Sequence, residues 1–292
     1  MLIIKQRVIN CSMAIINGSF PVDDEQLAIV DHQSSAANQQ RATEALQEEL
    51  RTVNYSFILE MKGAFMIVTI ANPKGGTGKT TLVRALSGTA AHAGNDVFLI
   101  DADSRANTMR WVTMSKQMEV WPDRLEAESC LDPDRIYKMA LDRQREGKIV
   151  FVDIEGTTNE NLFAGLYCAD VVLIPLQTTQ DDVVAGMQLA LNHIPVVEDD
   201  QKRKLPALIV INQHDLVTGR AKAHAPLREI LRESGVALAS QPIARRSCYQ
   251  SIGAAGTLQT VATPDPKAIA EMETLLGEIL TLYRSTAEGV QA

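Results

Sequence analysis

The stretch Met66-Ile-Val-Thr-Ile-Ala71-Asn-Pro-Lys-Gly-Gly76-Thr-Gly-Lys-Thr-Thr81 decides the fold. Its first six residues are apolar but for one threonine and read as a buried strand. Glycines at 75, 76 and 78 then let backbone N–H groups turn inward. Thr80-Thr-Leu-Val-Arg-Ala-Leu opens a helix, whose positive end adds to the same point. Strand, glycine turn and helix in this order make a variant of the phosphate loop G-x-x-x-x-G-K-[ST], with Pro73 in place of the first glycine. The spacing assigns Gly75, Gly76, Thr77, Gly78 and Thr81 to the phosphate cradle. Lys79 is assigned to the β- and γ-phosphates, and the Thr80 hydroxyl to Mg²⁺.

Outward from this loop, strands and helices alternate, which predicts an α/β fold with a mainly parallel, doubly wound sheet. Strands are expected near 66–71, 96–101, 148–153, 170–175, 207–212 and 236–240. Helices are expected over much of 79–93, 104–117, 133–146, 180–193, 221–234 and 265–284. Two of these strands end in acids: Asp96-Val-Phe-Leu-Ile runs into Asp101-Ala-Asp103, and Lys148-Ile-Val-Phe-Val ends in Asp153. The ends of strands are where such a sheet gathers its ligands. Asp153 thus becomes a Mg²⁺ ligand, acting through a bound water because Mg²⁺ keeps part of its hydration shell. Asp103 can equally cap the following helix, a role compatible with catalysis.

The additional lysine narrows the reading. Lys74-Gly-Gly-Thr-Gly-Lys-Thr80 resembles the deviant Walker A box of the ParA/MinD ATPases, and the chain is identified on this box as a P-loop NTPase of that type. In that family Lys74 would cross to the phosphates of a second ATP-bound subunit, which makes ATP part of a homodimer interface. The resemblance also implies that Asp103 orients the attacking water, that Asp101 supports the metal, and that Asn212 contacts adenine. Asn212-Gln-His-Asp215 is near the guanine motif N-K-x-D, but Gln213 departs from it, so ATP is preferred to GTP. Ile154-Glu-Gly-Thr-Thr158 stands where the family has D-T-P-P, and Gly156 keeps room for a switch loop. Asp101-Ala-Asp-Ser-Arg-Ala-Asn-Thr-Met-Arg-Trp111 further resembles the VirC-type homologues of DNA-transfer systems. Ser104-Arg105 replaces the family's usual residues after the catalytic acid, a departure from ordinary partition proteins. Trp111 fits a core position as well.

The whole chain sets outer bounds. At 292 residues it can bury a large core, and 46% hydrophobic with only 4% aromatic residues suits an aliphatic α/β interior. Four scattered cysteines without a C-x-x-C pair argue against zinc or a disulfide framework, and the expected compartment is the cytoplasm. No apolar run reaches the length of a bilayer span, so no membrane partner is expected. Residues 1–65 read as an N-terminal extension of unassigned role, either loosely attached or the result of an upstream start assignment. Residues 66–292 read as the ATPase domain.

The net charge of −8 excludes a generally basic protein, yet nine Lys/Arg face three acids between Lys202 and Arg246. Arg220, Lys222, Arg245 and Arg246 in this region are candidates for contacts to DNA phosphates, with solvated helix faces as the alternative. The resulting expectation is a slow, Mg²⁺-dependent ATPase that dimerises on ATP and binds DNA without sequence preference. It would position a plasmid or a transfer complex through a DNA-binding adaptor or relaxosome protein. A metabolic P-loop enzyme acting on a small molecule, or a MinD-like positioning ATPase, are the alternatives. In Glu271–Tyr283 the polar face is acidic, and Met272, Leu275, Leu276, Ile279 and Tyr283 form a core-packing stripe rather than a membrane anchor.

Overall fold

The computed structural model describes Met61, residues 63–214 and residues 236–289, all within the compact unit Val53–Ala292. Most of the expected N-terminal extension, the helix expected at 221–234, and both Arg220 and Lys222 lie outside the described residues.

Seven parallel strands form one sheet among the described residues: β1 (Ile67–Ile70), β2 (Val97–Ala102), β3 (Leu125–Ser129), β4 (Ile149–Ile154), β5 (Val171–Leu176), β6 (Ala207–Ile211) and β7 (Ala237–Leu238). Their order is β3-β2-β4-β1-β5-β6-β7. The inner strands are buried along their whole length and read as continuous apolar runs, as parallel strands covered on both faces do. β3 escaped the periodicity because Leu-Glu-Ala-Glu-Ser is an edge strand with only Leu125 fully buried. The Asp153 strand is therefore fourth in the chain rather than third, and it lies between β1 and β2.

Side-chain alternation sends each strand's residues into two cores. Val68 and Ile70, Val97 and Leu99, and Ile149 and Phe151 enter one of them. This core is covered by α1 (Lys79–His92), α2 (Asn107–Gln117), α7 (Ser247–Ala254) and α8 (Pro266–Gly289). Phe98 and Ile100, with Val150 and Val152, enter the other, beneath α3 (Pro133–Arg145), α4 (Glu160–Cys168), α5 (Gln180–Gln188) and α6 (Ile194–Gln201). Asp101 and Asp153 share the parity of the first set, so they end their strands on the face that carries α1 and α2.

Local sequence accounts for the helix ends. Asp132 caps α3 by accepting the Arg135 N–H at 2.9 Å, with Pro133 following, and Asn159 caps α4 by accepting from Leu162 at 3.0 Å. The helix expected at 180–193 instead runs on to Gln201 through a π turn at Leu189–His193. Pro195 explains the widening: it lacks an amide hydrogen and its ring crowds the carbonyl of the preceding turn. In α8, Met272, Leu275, Leu276 and Ile279 are buried in the first core and Tyr283 packs against it. The stripe is thus spent on packing. No helix among the described residues is long and apolar enough to cross a membrane. Cys130, Cys168 and Cys248 are free and buried.

Candidate nucleotide site

Register builds the acidic half of the site. In the parallel β2–β4 ladder Asp101 stands directly opposite Asp153, and in the β1–β4 ladder Asp153 stands opposite Ile70, just before the loop. Both carboxylates are buried. Burial raises the pKa of Asp153, and the neighbouring Asp101 raises it further, to about 7. Burial also pushes Asp101 up, against the N–H groups of Asp103 and Met109 that donate to it at 3.2 and 3.0 Å.

Two hydroxyls complete this half. Thr80 Oγ1 lies 3.4 Å from Asp153 Oδ1, and Thr108 Oγ1 donates to Asp153 Oδ2 at 2.9 Å. Asp103 is largely buried; its Oδ1 accepts the Arg105 N–H at 2.9 Å, and its other oxygen has no hydrogen-bond partner among the described residues. Ser104 Oγ reaches the Glu155 carboxylate at 3.4 Å.

The loop forms the other half. Asn72 is fully buried; its Nδ2 donates to the Pro175 carbonyl at 2.8 Å and its Oδ1 accepts the Lys74 N–H at 2.9 Å. Lys79 Nζ folds back onto the carbonyls of Asn72 and Lys74, each at 3.0 Å. Burial lowers its pKa, while Asp153 and Asp103 act in the opposite sense. Gln177 Nε2 donates to the Gly76 carbonyl at 2.8 Å, which ties the loop to the end of β5. Gly78 holds φ +90°, and a Cβ there would lie 2.2 Å from Asn212 Nδ2. A Cβ on Gly156 would lie 2.9 Å from the Gly75 backbone and 3.0 Å from Lys79 Nζ, so the segment after β4 rests directly on the loop.

Two sequence assignments find different surroundings. Lys74 pairs within its own chain, with Asp182 Oδ1 at 3.1 Å and Asp181 Oδ2 at 3.9 Å. Asn212 Nδ2 donates to the Thr77 carbonyl at 2.8 Å, so this side chain braces the loop. It also borders a cleft of about 300 Å³ between α1 and the segment leading into α7, with Thr81, Gln213, Ala244, Arg245 and Tyr249. The size and place of this cleft beside the loop helix suit a nucleotide base.

The two described DNA-contact candidates, Arg245 and Arg246, stand in different surroundings. Arg245 faces that cleft, with Nη2 3.3 Å from Gln213 Oε1. Arg246 pairs with Glu271 at 2.6 Å and Asp265 at 3.3 Å, its side chain only 16% exposed. Two carboxylates thus already offset the charge of this guanidinium. Lys202 and Lys204 are likewise neutralised, by Asp199 and Glu198. A count of charges along the chain does not see these partners.

Sequence reasoning missed Thr108, Asn72 and the Lys74–Asp182 pair. Each acts through a contact across more than 40 residues, which leaves no spacing to read in the sequence. Among the described residues no three His, Cys, Asp or Glu side chains form a metal cage. Mg²⁺ needs none, since it takes one or two protein oxygens and completes its shell with phosphates and water. Thr80 with Asp153, and Asp101 beside them, fit it: two buried carboxylates in register carry a repulsion that a divalent cation relieves.

The comparisons agree with this geometry. The family model described as CobQ/CobB/MinD/ParA nucleotide binding domain matches residues 68–289. Protein ParA of Rhizobium radiobacter is 25% identical over 228 residues, covering 77% of this chain and 99% of that relative. Protein virC1 of the same organism is 28% identical over 118 residues, 40% of this chain and 51% of that protein. The crystal structure of the cell division ATPase MinD of Pyrococcus furiosus superposes with a TM-score of 0.55 at 17% identity, over 75% of this chain and 100% of that one.

Two outcomes are expected from the site itself. Gly156→Ala should weaken nucleotide binding by about tenfold or more, equivalent to about 1.4 kcal/mol, because the new methyl displaces the loop. Calorimetric titration beside a melting curve checks this, and unchanged affinity would show that the loop yields freely.

The second concerns pH. Unfolded, Asp153 titrates near 3.8; folded, at about 7. Between these values the folded chain holds a proton that the unfolded chain has released, so stability falls as pH rises through the window. In nucleotide-free and Mg²⁺-free protein, Asp153→Asn should flatten that decline and melt above the parent chain near pH 8. Parallel melting profiles for the two chains would mean that the carboxyl ionises normally.

Proposed function

Because the chain belongs to the CobQ/CobB/MinD/ParA nucleotide-binding family, we propose that it is a Mg²⁺-dependent ATPase. Slow ATP hydrolysis in it would drive a dimerisation switch for positioning a plasmid or DNA-transfer complex. The observation that carries this reading is the convergence of Lys79, Thr80, Asp153 and Asp101 at the ends of adjacent parallel strands. Bound Mg²⁺ supplies charge neutralisation across the phosphates. Lys79, desolvated and held only by two carbonyls, is the cation offered to the β- and γ-phosphates, and trading those carbonyls for phosphate oxygens is favourable. Asp103 keeps one carboxylate oxygen available to orient an attacking water. Asn212 and the cleft beside it receive the base, with adenine preferred.

Lys74 is the residue proposed to cross to a partner subunit. Within one chain it is held by Asp182, so the cross-subunit contact exchanges one anionic partner for another. Lys79→Ala should abolish saturable binding of labelled ATP. Lys74→Ala should retain binding to the single chain yet lose the ATP-dependent dimer by light scattering, and Asp103→Ala should give dimers that persist. Normal ATP-dependent dimers in the Lys74 variant would reject the crossing role.

The DNA-binding part of the proposal rests on similarity to the ParA and virC1 proteins and on the basic residues Arg220, Lys222, Arg245 and Arg246. The stimulating partner is placed in the class of DNA-binding adaptors or relaxosome proteins, and the compartment is the cytoplasm. ATP-bound protein should shift unrelated duplexes similarly, more than the apo or ADP forms do. Reversing Arg220 and Lys222 to Glu should make the salt dependence shallower, by about 0.9 in slope for each phosphate the side chains no longer neutralise. Equal shifts in all three nucleotide states would remove DNA from the switch.

A further inference from the structure

Behind the nucleotide site, Arg84 sits one turn along α1 from Thr80 and is only 7% exposed. Its Nη1 donates to the Gly253 carbonyl at 3.2 Å and its Nη2 to the Asn107 carbonyl at 2.6 Å. Its Nε is buried without a partner. Its guanidinium carbon lies 5.5 Å from the centroid of the Trp111 ring. Among the described residues no carboxylate pairs with it; Asp153 and Asp101 attract it only from a distance, and Arg110 repels it. Arg110 is itself exposed and likewise meets no carboxylate among them, since its Nη2 reaches only the Arg105 carbonyl and Asn107 Oδ1.

Both arginines line a cleft of about 440 Å³, together with Thr80, Asn107, Trp111 and Met114. A buried cation costs folding energy unless it is paired, and two neighbouring cations raise that cost. An oxyanion in the cleft would remove both penalties, and the planar guanidinium suits phosphate geometry. We propose that this cleft, which borders the phosphate loop at Thr80, is a second anion site that takes a phosphate or phosphodiester group on Arg84 and Arg110. The cleft volume exceeds that of one phosphate, and the Trp111 and Met114 side adds an apolar wall. The site stands independently of the ATP reading, because neither arginine belongs to the nucleotide machinery.

The chain's two tryptophans, Trp111 and Trp121, stack edge to face 5.1 Å apart, so the indole N–H of Trp111 is a local reporter. The test is a titration of the Trp111 indole resonance in ¹⁵N-labelled full-length Lys79→Ala protein, whose loop no longer offers its lysine to anions. Inorganic phosphate is added in one arm and a short duplex DNA in the other. A saturable shift is expected in at least one arm, weakened about tenfold or more by Arg110→Gln and absent in Arg84→Met. Arg110 is exposed, so its variant remains informative even where Arg84→Met melts early. A response to duplex DNA identifies the source as a nucleic-acid phosphodiester, whereas a response to phosphate alone identifies a free-phosphate site; both support the cleft. No saturable shift in either arm, or equal affinity in Arg110→Gln, overturns it.

Discussion

Two carboxylates held side by side inside the protein are the constraint on which the rest of the site depends. Parallel pairing of β2 with β4 puts Asp101 against Asp153, where burial opposes ionisation of both and Asp101 further opposes that of Asp153. The surrounding structure supplies what relief it can. Thr80 reaches Asp153 from the loop helix, Thr108 reaches it from the first turn of α2, and the Met109 N–H turns to Asp101. α1 and α2 are therefore docked on the acids as well as on the apolar core. A divalent cation bound there would complete what these hydroxyls only begin.

The loop above the acids is held before any nucleotide arrives. Its own lysine closes on the carbonyls of residues 72 and 74, and Asn72, Gln177 and Asn212 tie it to the ends of β5 and β6. Such bracing lowers the entropic cost of ordering a cradle at the moment of binding. Glycine is required at two of its contacts for different reasons. Gly78 takes a left-handed backbone against Asn212, and Gly156 lets the segment after β4 lie on the loop without a Cβ between them. A shift of the loop can therefore be felt by the segment following β4 through direct contact.

Charge is distributed by pairing rather than by count. Among the described residues of the basic region, Lys202, Lys204 and Arg246 have acidic partners in Asp199, Glu198, Asp265 and Glu271. Arg84 and Arg110, which no run of basic residues announces, have none among the described residues. Arg84 stands alone in an otherwise small and apolar stretch of α1, and its value depends on α2 and α7 folding over it.

The phosphate loop, the two acid-ended strands and the alternation that makes a parallel sheet were legible in the chain because each is local: a strand, a turn and a helix opening follow one another within about twenty residues. The edge strand β3 and the helices α4 and α7 were not, since short, half-polar segments carry little periodicity of their own. Nor was the register that sets Asp101 opposite Asp153, the intrachain pairing of Lys74 with Asp182, or the burial of Arg246. Those depend on which segments lie side by side after folding, and hydrogen bonds and ion pairs between residues far apart in sequence leave no spacing to read. Sequence by itself determined the nucleotide-binding family and its parallel α/β fold. Tertiary structure decided which charges remain free to act, because a side chain's charge acts only as far as its folded neighbours leave it unneutralised.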